Sequence, residues 1–124
     1  KWRQVAPTDP FRPLDAVWVY ANKTCTVPLT FAAGTPELPP AKDLGKGWNA
    51  IGFTDTVPET ANYTLQSLGD HWSILIGFDA GTQEYDVSII RGATGLHGDE
   101  RLMRPMQGYW LYVNAADTLD SLSG

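Results

Sequence analysis

Residues 104–118 read RPMQGYWLYVNAADT, and their centre, Gly108-Tyr-Trp-Leu-Tyr-Val-Asn114, is the strongest strand pattern in the chain. Aromatic and aliphatic residues follow one another there without interruption, as in a strand that lies inside a sheet. Residues 12–26, RPLDAVWVYANKTCT, align to this stretch without gaps. Six of the fifteen aligned residues are identical, whereas chance gives about one. The chain therefore carries an internal repeat.

The repeat predicts how a single β-rich domain over residues 1–124 is organised. Residues 1–31 would be the tail of one repeat unit, residues 32–46 a Pro/Gly-rich connector, and residues 47–120 a complete unit. In this interpretation the chain opens at the second strand of a hairpin whose first strand is missing. The alternative is an internally duplicated domain that is whole as it stands. Both interpretations place the matching aromatic strands at equivalent positions of one core.

The rest of the chain predicts short strands and one helix. Pro58 suits a first helical turn, and Ala61, Leu65 and Leu68 share one face of a helix over 58–68 that ends at Gly69. Apolar or alternating runs bounded by turn residues predict strands over 17–20, 47–53, 72–79 and 84–90, the last after a turn at 80–82. Residues 26–31 are predicted to form an edge strand or a bulge. The expected fold class is mainly β, a small antiparallel β-sandwich or barrel with one short helix.

Tryptophans within apolar strands are expected in the core, because burying an indole contributes roughly 2–3 kcal/mol. This predicts buried positions for Trp18, Trp48 and Trp110. In the strand over 72–79, alternation predicts one common side for Trp72, Ile74, Ile76 and Phe78. Ligand-facing aromatics are expected instead at Trp2, Tyr85 and Tyr109.

Composition and charge exclude several classes of partner. The 124 residues carry a net charge of −5, without the cluster of Lys and Arg that a nucleic acid or an anionic membrane needs. No stretch approaches the ~20 apolar residues of a membrane-spanning helix, and the first residues do not resemble a signal peptide. Cys25 is the single cysteine, so there is no disulfide framework within the chain and no cysteine-based zinc site.

Few residues suggest chemistry. Asn22 and Asn62 begin Asn-Lys-Thr and Asn-Tyr-Thr, which fit the N-glycosylation acceptor pattern. The alternative places Asn22 in a turn and Asn62 on an exposed helix face, and the repeat favours it for Asn22, since the aligned Asn114 is followed by Ala-Ala. His71 and His97 are expected to be loop residues, because no nucleophile motif accompanies either of them. The acidic residues around 79–86 do not match a calcium loop. We therefore expect no catalytic residues, no metal site and no cofactor.

Three motifs occur in a characteristic order: Gly47-Trp-Asn-Ala-Ile-Gly52, the aromatic hairpin of 72–85, and Gly108-Tyr-Trp-Leu-Tyr112. This ordered set resembles the repeated β-rich module of archaeal and bacterial cell-surface proteins, of the S-layer-like or adhesin-like kind. The resemblance covers about residues 12–119, and it departs at Ala16-Val17, where the module has Gly-Tyr.

The resemblance implies a non-catalytic extracellular structural module of a cell-surface or filament-forming protein, which self-assembles by packing against like modules. The alternative is a carbohydrate-binding or adhesive module that uses exposed aromatics. Expected partners are like modules and glycans, with no nucleic acid and no membrane insertion by this segment.

Overall fold

The computed structural model describes residues 4–6, 8–10, 12–26 and 40–121. The fold is mainly β with antiparallel sheets, as predicted, and the described strands do not close into a barrel. A one-turn helix, α1 (Ala61–Thr64), is accompanied by two 3-10 helices, Gln66–His71 and Gly95–His97. The described strands are β1 (Ala41–Leu44), β2 (Gly47–Gly52), β3 (Glu59–Thr60), β4 (Trp72–Asp79), β5 (Glu84–Tyr85), β6 (Ile89–Ile90), β7 (Leu102–Met103), β8 (Gly108–Val113) and β9 (Asp117–Asp120).

The central sheet is built around β8, which pairs with β2 on one side and with β4 on the other. β2 and β8 pair from Gly47 opposite Val113 to Gly52 opposite Gly108. β5 and β6 both pair with β4, which confirms the predicted hairpin, although residues 86–88 interrupt its second arm. Two further antiparallel pairs, β1 with β9 and β3 with β7, complete the described strands. The uninterrupted apolar run of β8 is thus that of a central strand.

One side of the central sheet, which we call the inner face, forms the core. Ile51, Leu75, Leu111 and Val113 on this face are all completely buried. Ala61, Leu65 and Leu68 belong to the same buried cluster, so the predicted apolar face of the helical segment is confirmed. Each of the buried Val, Leu and Ile side chains contributes roughly 1.5–3 kcal/mol by leaving water.

The helix begins later than predicted. Glu59 and Thr60 form β3 opposite β7, and the side-chain oxygen of Thr60 accepts the Tyr63 N–H at 3.2 Å. Thr60 therefore caps the helix, and capping outweighs the preference of Pro58 for a first turn. Gly69 interrupts the helical backbone with φ +55°, close to the predicted stop, although the 3-10 segment continues to His71.

The predicted alternation of β4 is wrong at its first residue. The pairing with β8 shifts between Trp72 and Ile74, so β4 carries one extra residue there. Such a bulge moves the side chains that follow to the opposite face. Trp72 is consequently buried in the core, whereas Ile74, Ile76 and Phe78 occupy the other side of the sheet and are half-buried.

The strand predicted over residues 17–20 is absent, since these residues form no strand in the structure. The predicted connector contains β1, whose Leu44 is buried and whose backbone pairs with β9. Residues 32–39 of the connector, and residues 27–31 of the predicted edge strand, lie outside the described residues.

Candidate functional site

The side of the central sheet opposite the core, which we call the outer face, is apolar and partly open to solvent. It extends across β2, β8, β4 and β6, and the cross-strand register aligns its side chains in two rows. The outer face consists of Trp48, Tyr112, Ile74 and Ile90 in one row and of Ala50, Trp110 and Ile76 in the other. An apolar sheet surface of this extent is typical of a contact or ligand surface.

The predicted burial of the three strand tryptophans is wrong. Trp48 is 50% exposed and contacts Tyr112 edge-on, with ring centroids 5.2 Å apart. Trp110 is half-buried on the outer face, and Trp18 lies outside any strand. The side chains of β8 that point into the core are those of Tyr109, Leu111 and Val113, which alternate with Trp110 and Tyr112 on the outer face. Since every residue from 109 to 113 is apolar or aromatic, the sequence does not indicate which set points inward.

The first copy of the repeat crosses the sheet as an extended segment, residues 12–20, which we call the arm. The arm begins with a turn in which the Asp15 N–H donates to the Arg12 carbonyl at 3.0 Å and Leu14 has φ +72°. Met106, the equivalent of Leu14 in the second copy, has φ +63°. Positive φ is uncommon at residues other than glycine. Its recurrence after each Arg-Pro shows that the two copies share a local structure.

The arm is tied to one end of β2. The Gly52 N–H donates to the Leu14 carbonyl at 2.8 Å, and the Leu14 side chain is buried. The Lys42 ammonium lies 2.6 Å from the Asp15 carboxylate. Burial raises the pKa of Asp15, but the hydrogen bonds from Lys42 and from the Arg12 N–H outweigh it and hold this pKa below its usual value.

Glycines allow the arm to cross so closely. A Cβ on Gly52 would lie 2.5 Å from the carbonyl oxygen of Asp15, and a Cβ on Gly108 would lie 3.3 Å from the Cβ of Ala16. Beyond this crossing, Trp18 packs edge-on against Phe78 of β4, with ring centroids 4.8 Å apart, and against Tyr85 of β5 at 6.3 Å. The arm therefore spans the sheet from β2 to β5.

An open groove of about 910 Å³ lies between the arm, the β4–β5 turn and the beginning of β8. Its apolar lining includes Trp18, Tyr20, Ile76 and Met106. Its polar lining comprises Asp79, Gln83, Asp86, Arg104 and Gln107. A concave surface with apolar walls and a few converging polar groups has the composition of a ligand site.

The predicted ligand-facing aromatics have different positions. The expected exposure of Tyr109 is wrong, because Tyr109 belongs to the inward set of β8 and is only 6% exposed, although it is among the residues that line the groove. Its hydroxyl accepts the Arg104 N–H at 2.8 Å and donates to the Gln107 side-chain oxygen at 3.3 Å, and burial raises its pKa. Tyr85 is 57% exposed and packs edge-on against Phe78. Trp2 lies outside the described residues.

The candidate glycosylation sites are both exposed. Asn22 follows the arm in a bend, and Asn62 lies in α1, where its backbone N–H donates to the Asp99 carbonyl. Cys25 is exposed as a free thiol, and the segment around it forms no strand.

The histidines are held by structural contacts. His71 Nδ1 lies 2.7 Å from the Asp117 carboxylate, and the hydrogen bond from His71, aided by the Thr118 N–H, lowers the pKa of Asp117. His97 Nδ1 contacts the Ser88 carbonyl at 2.9 Å and the Ser88 hydroxyl at 3.2 Å. Within the described ranges, no three His, Cys, Asp or Glu side chains converge as metal ligands. None of the helices in the described part of the chain has the length and apolar character to span a membrane.

Comparison of the chain with protein-family models, with curated proteins and with solved structures finds no match. The arm, the outer face and the groove are therefore the features from which a function is inferred.

Proposed function

We propose that this chain is a non-catalytic, extracellular structural module of a cell-surface or filament-forming protein, and that it acts by packing against like modules. The observation that carries the proposal is the position of the arm on the sheet. Residues 12–20 repeat the sequence that leads into and forms β8, yet they lie across the sheet of the complete unit instead of within a sheet. Under the proposed division into repeat units, the contact between arm and sheet joins the end of one unit to the body of the next.

The arm contact has the composition of a specific interface. It combines a backbone hydrogen bond at Gly52, an ion pair between Lys42 and Asp15, and aromatic packing of Trp18 on Phe78. A segment held by such contacts can also dock on a second molecule, as in domain swapping. Repetition of such a head-to-tail contact from chain to chain gives an open series when the rotation between chains does not close into a ring.

The outer face supplies further area for packing. Its row of Trp48, Tyr112, Ile74 and Ile90 continues the apolar surface beyond the arm. Interface cores are enriched in such aromatic side chains and depleted of charge. The extracellular setting is supported by the resemblance to cell-surface modules and by two exposed glycosylation tripeptides.

A disulfide can trap the arm contact, because the Cβ positions of residues 16 and 108 lie 3.3 Å apart, near the Cβ separation of a disulfide. The variant carries Ala16→Cys and Gly108→Cys, with Cys25→Ser to remove the native thiol. Oxidation at rising protein concentration should give a ladder of linked chains on a non-reducing gel, and light scattering of the unmodified chain should show a growing mass.

The matched control carries Ala16→Cys and Cys25→Ser alone, which can form linked pairs but no ladder. A second variant, Trp48→Ser, should reduce the scattering mass because it removes an exposed ring of the outer face. If oxidation gives only intramolecular bonds and the unmodified chain stays a strict monomer, the packing proposal is wrong.

A further inference from the structure

The groove between the arm and the sheet has a lining that suits one class of ligand. Trp18 is 44% exposed even with its ring packed on Phe78, and Tyr20 is 94% exposed on the same wall. Both residues belong to the lining of the groove. The opposite side carries carboxylates, carboxamides and one guanidinium.

The polar groups are held in position before any ligand arrives. One oxygen of Asp79 accepts the N–H groups of Gly81 and Thr82 in the β4–β5 turn, at 2.8 and 3.3 Å. One oxygen of Asp86 accepts from the Gln107 carboxamide at 3.2 Å. A carboxylate has about four acceptor positions, so each retains capacity for a further donor. Fixed groups lose little conformational freedom on binding.

The charge of the lining and the volume of the groove restrict the class of ligand further. Asp79, Asp86 and Arg104 give this lining a formal charge of −1 in a chain of net charge −5, which disfavours polyanions. The volume of about 910 Å³ is near the upper end of small-molecule sites, which span roughly 300–1,000 Å³. A neutral ligand of several linked rings, apolar on its ring faces and rich in hydroxyl groups at its edges, matches these features.

We propose that the groove binds a neutral oligosaccharide, with Trp18 and Tyr20 packing on pyranose faces while Asp79, Asp86 and Gln107 accept or donate hydrogen bonds to hydroxyl groups. The ligand would contact both the arm and the complete unit. Glycan binding would then occur only when the arm is docked on the sheet.

The test uses the full chain and three neutral probes, cellohexaose, chitohexaose and mannohexaose. Titration followed by tryptophan fluorescence and by calorimetry should show saturable binding of at least one probe, with a Kd of roughly 10 μM to 1 mM. Binding of a neutral ligand should change little between low and high salt.

Variants identify the groove as the site. Trp18→Ala should weaken binding about two- to tenfold, since an aromatic contact is worth about 0.5–1.5 kcal/mol and 1.4 kcal/mol is tenfold. Tyr20→Ala should weaken it several-fold, and it is the safer variant because a side chain 94% exposed contributes little to folding. Trp48→Ala is the matched control, an exposed ring of the outer face that does not line the groove, and it should bind as the unmodified chain does.

Three results would overturn the proposal. The first is no saturable binding of any of the three probes by the folded chain. The second is unchanged affinity in both Trp18→Ala and Tyr20→Ala, and the third is an equal loss in Trp48→Ala, which would assign the site to the outer face. Self-association is measured separately by light scattering, so failure here leaves the packing proposal intact.

Discussion

The two copies of the repeat share a sequence but have different structures. Each begins with an Arg-Pro turn, with positive φ at Leu14 and at Met106. After the turn they diverge, since 108–113 form the central strand β8 whereas 16–21 form no strand. A turn is set by neighbouring residues, while a strand requires partners that are distant in sequence. β8 has β2 and β4 as partners, whereas the arm meets β2 through the hydrogen bond from the Gly52 N–H to the Leu14 carbonyl.

The largest expected contrast between the copies is at the aligned residues Leu111 and Val19. Leu111 is completely buried between β2 and β4, and Val19 is exposed in the arm. Leu111→Ala should lower the free energy of unfolding by about 2–5 kcal/mol, because it removes buried methyl groups and leaves a cavity. Val19→Ala should change it by less than about 0.5 kcal/mol.

Urea unfolding followed by tryptophan fluorescence measures both variants. Similar losses in the two would mean that the arm residue is packed as tightly as β8, and that the structural difference between the copies is wrong.

The second contrast concerns the crossing of the arm over Gly52. Gly52→Val adds a side chain whose Cβ would meet the Asp15 carbonyl, and backbone cannot give way as a flexible side chain can. We expect the arm to detach and the free energy of unfolding to fall by about 1–3 kcal/mol. Hydrogen exchange should then become faster at the backbone amide of position 52, which in the unmodified chain donates to the Leu14 carbonyl.

Gly45→Val is the matched control, since a Cβ there meets nothing within 4 Å. Exchange at Gly52 should be unchanged in this variant. An arm that remains protected in Gly52→Val would contradict the close crossing.

These contrasts indicate how far the sequence could predict the molecule. Periodicity and turn residues were sufficient for the bounds of β4, for most of β2 and β8, and for the buried helical face of Ala61, Leu65 and Leu68. They were insufficient for the side of β8 that faces the core, since its residues are apolar on both sides. They also missed the bulge after Trp72, which no turn residue marks.

The candidate site was less predictable than the fold. Tyr85 was correctly expected to be exposed, but the groove depends on the path of the arm, a contact between residues about sixty positions apart. No local pattern encodes such a contact. The repeat predicted equivalent strands, whereas the feature that the two copies share is the turn after each Arg-Pro, with positive φ at Leu14 and Met106.

The third contrast separates Tyr109 from its counterpart in the arm, Val17. Tyr109→Phe removes the hydroxyl that accepts the Arg104 N–H, and it should lower the free energy of unfolding by about 1 kcal/mol. Burial raises the pKa of Tyr109 in the folded chain. The stability contributed by the protonated hydroxyl is therefore fully present below the unfolded pKa, which is near 10. This stability is lost as the pH rises through the folded pKa.

Unfolding measured across alkaline pH should therefore show a decline in the unmodified chain that is smaller in Tyr109→Phe. Val17→Ala, in the arm, should leave the alkaline decline unchanged. An identical decline in all three proteins would mean that the hydroxyl of Tyr109 is solvated.

The smallest expected effect is on the ion pair that anchors the arm. The pKa of Asp15 is below its usual value in the folded chain, so the pair stabilises docking above about pH 4 and is lost as the pH falls through the folded pKa. Because both side chains are partly exposed, we expect the ion pair to contribute about 0.2–1 kcal/mol to docking of the arm.

The chemical shift of the Gly52 amide proton should report acid release of the arm, and Asp15→Asn should weaken docking at neutral pH and remove this transition. Asp117→Asn is the control, since the pKa of Asp117 is also lowered but its partner, His71, lies outside the arm. A Gly52 transition that persists in Asp15→Asn and disappears in Asp117→Asn would assign the acid sensitivity to the second copy of the repeat instead of the first.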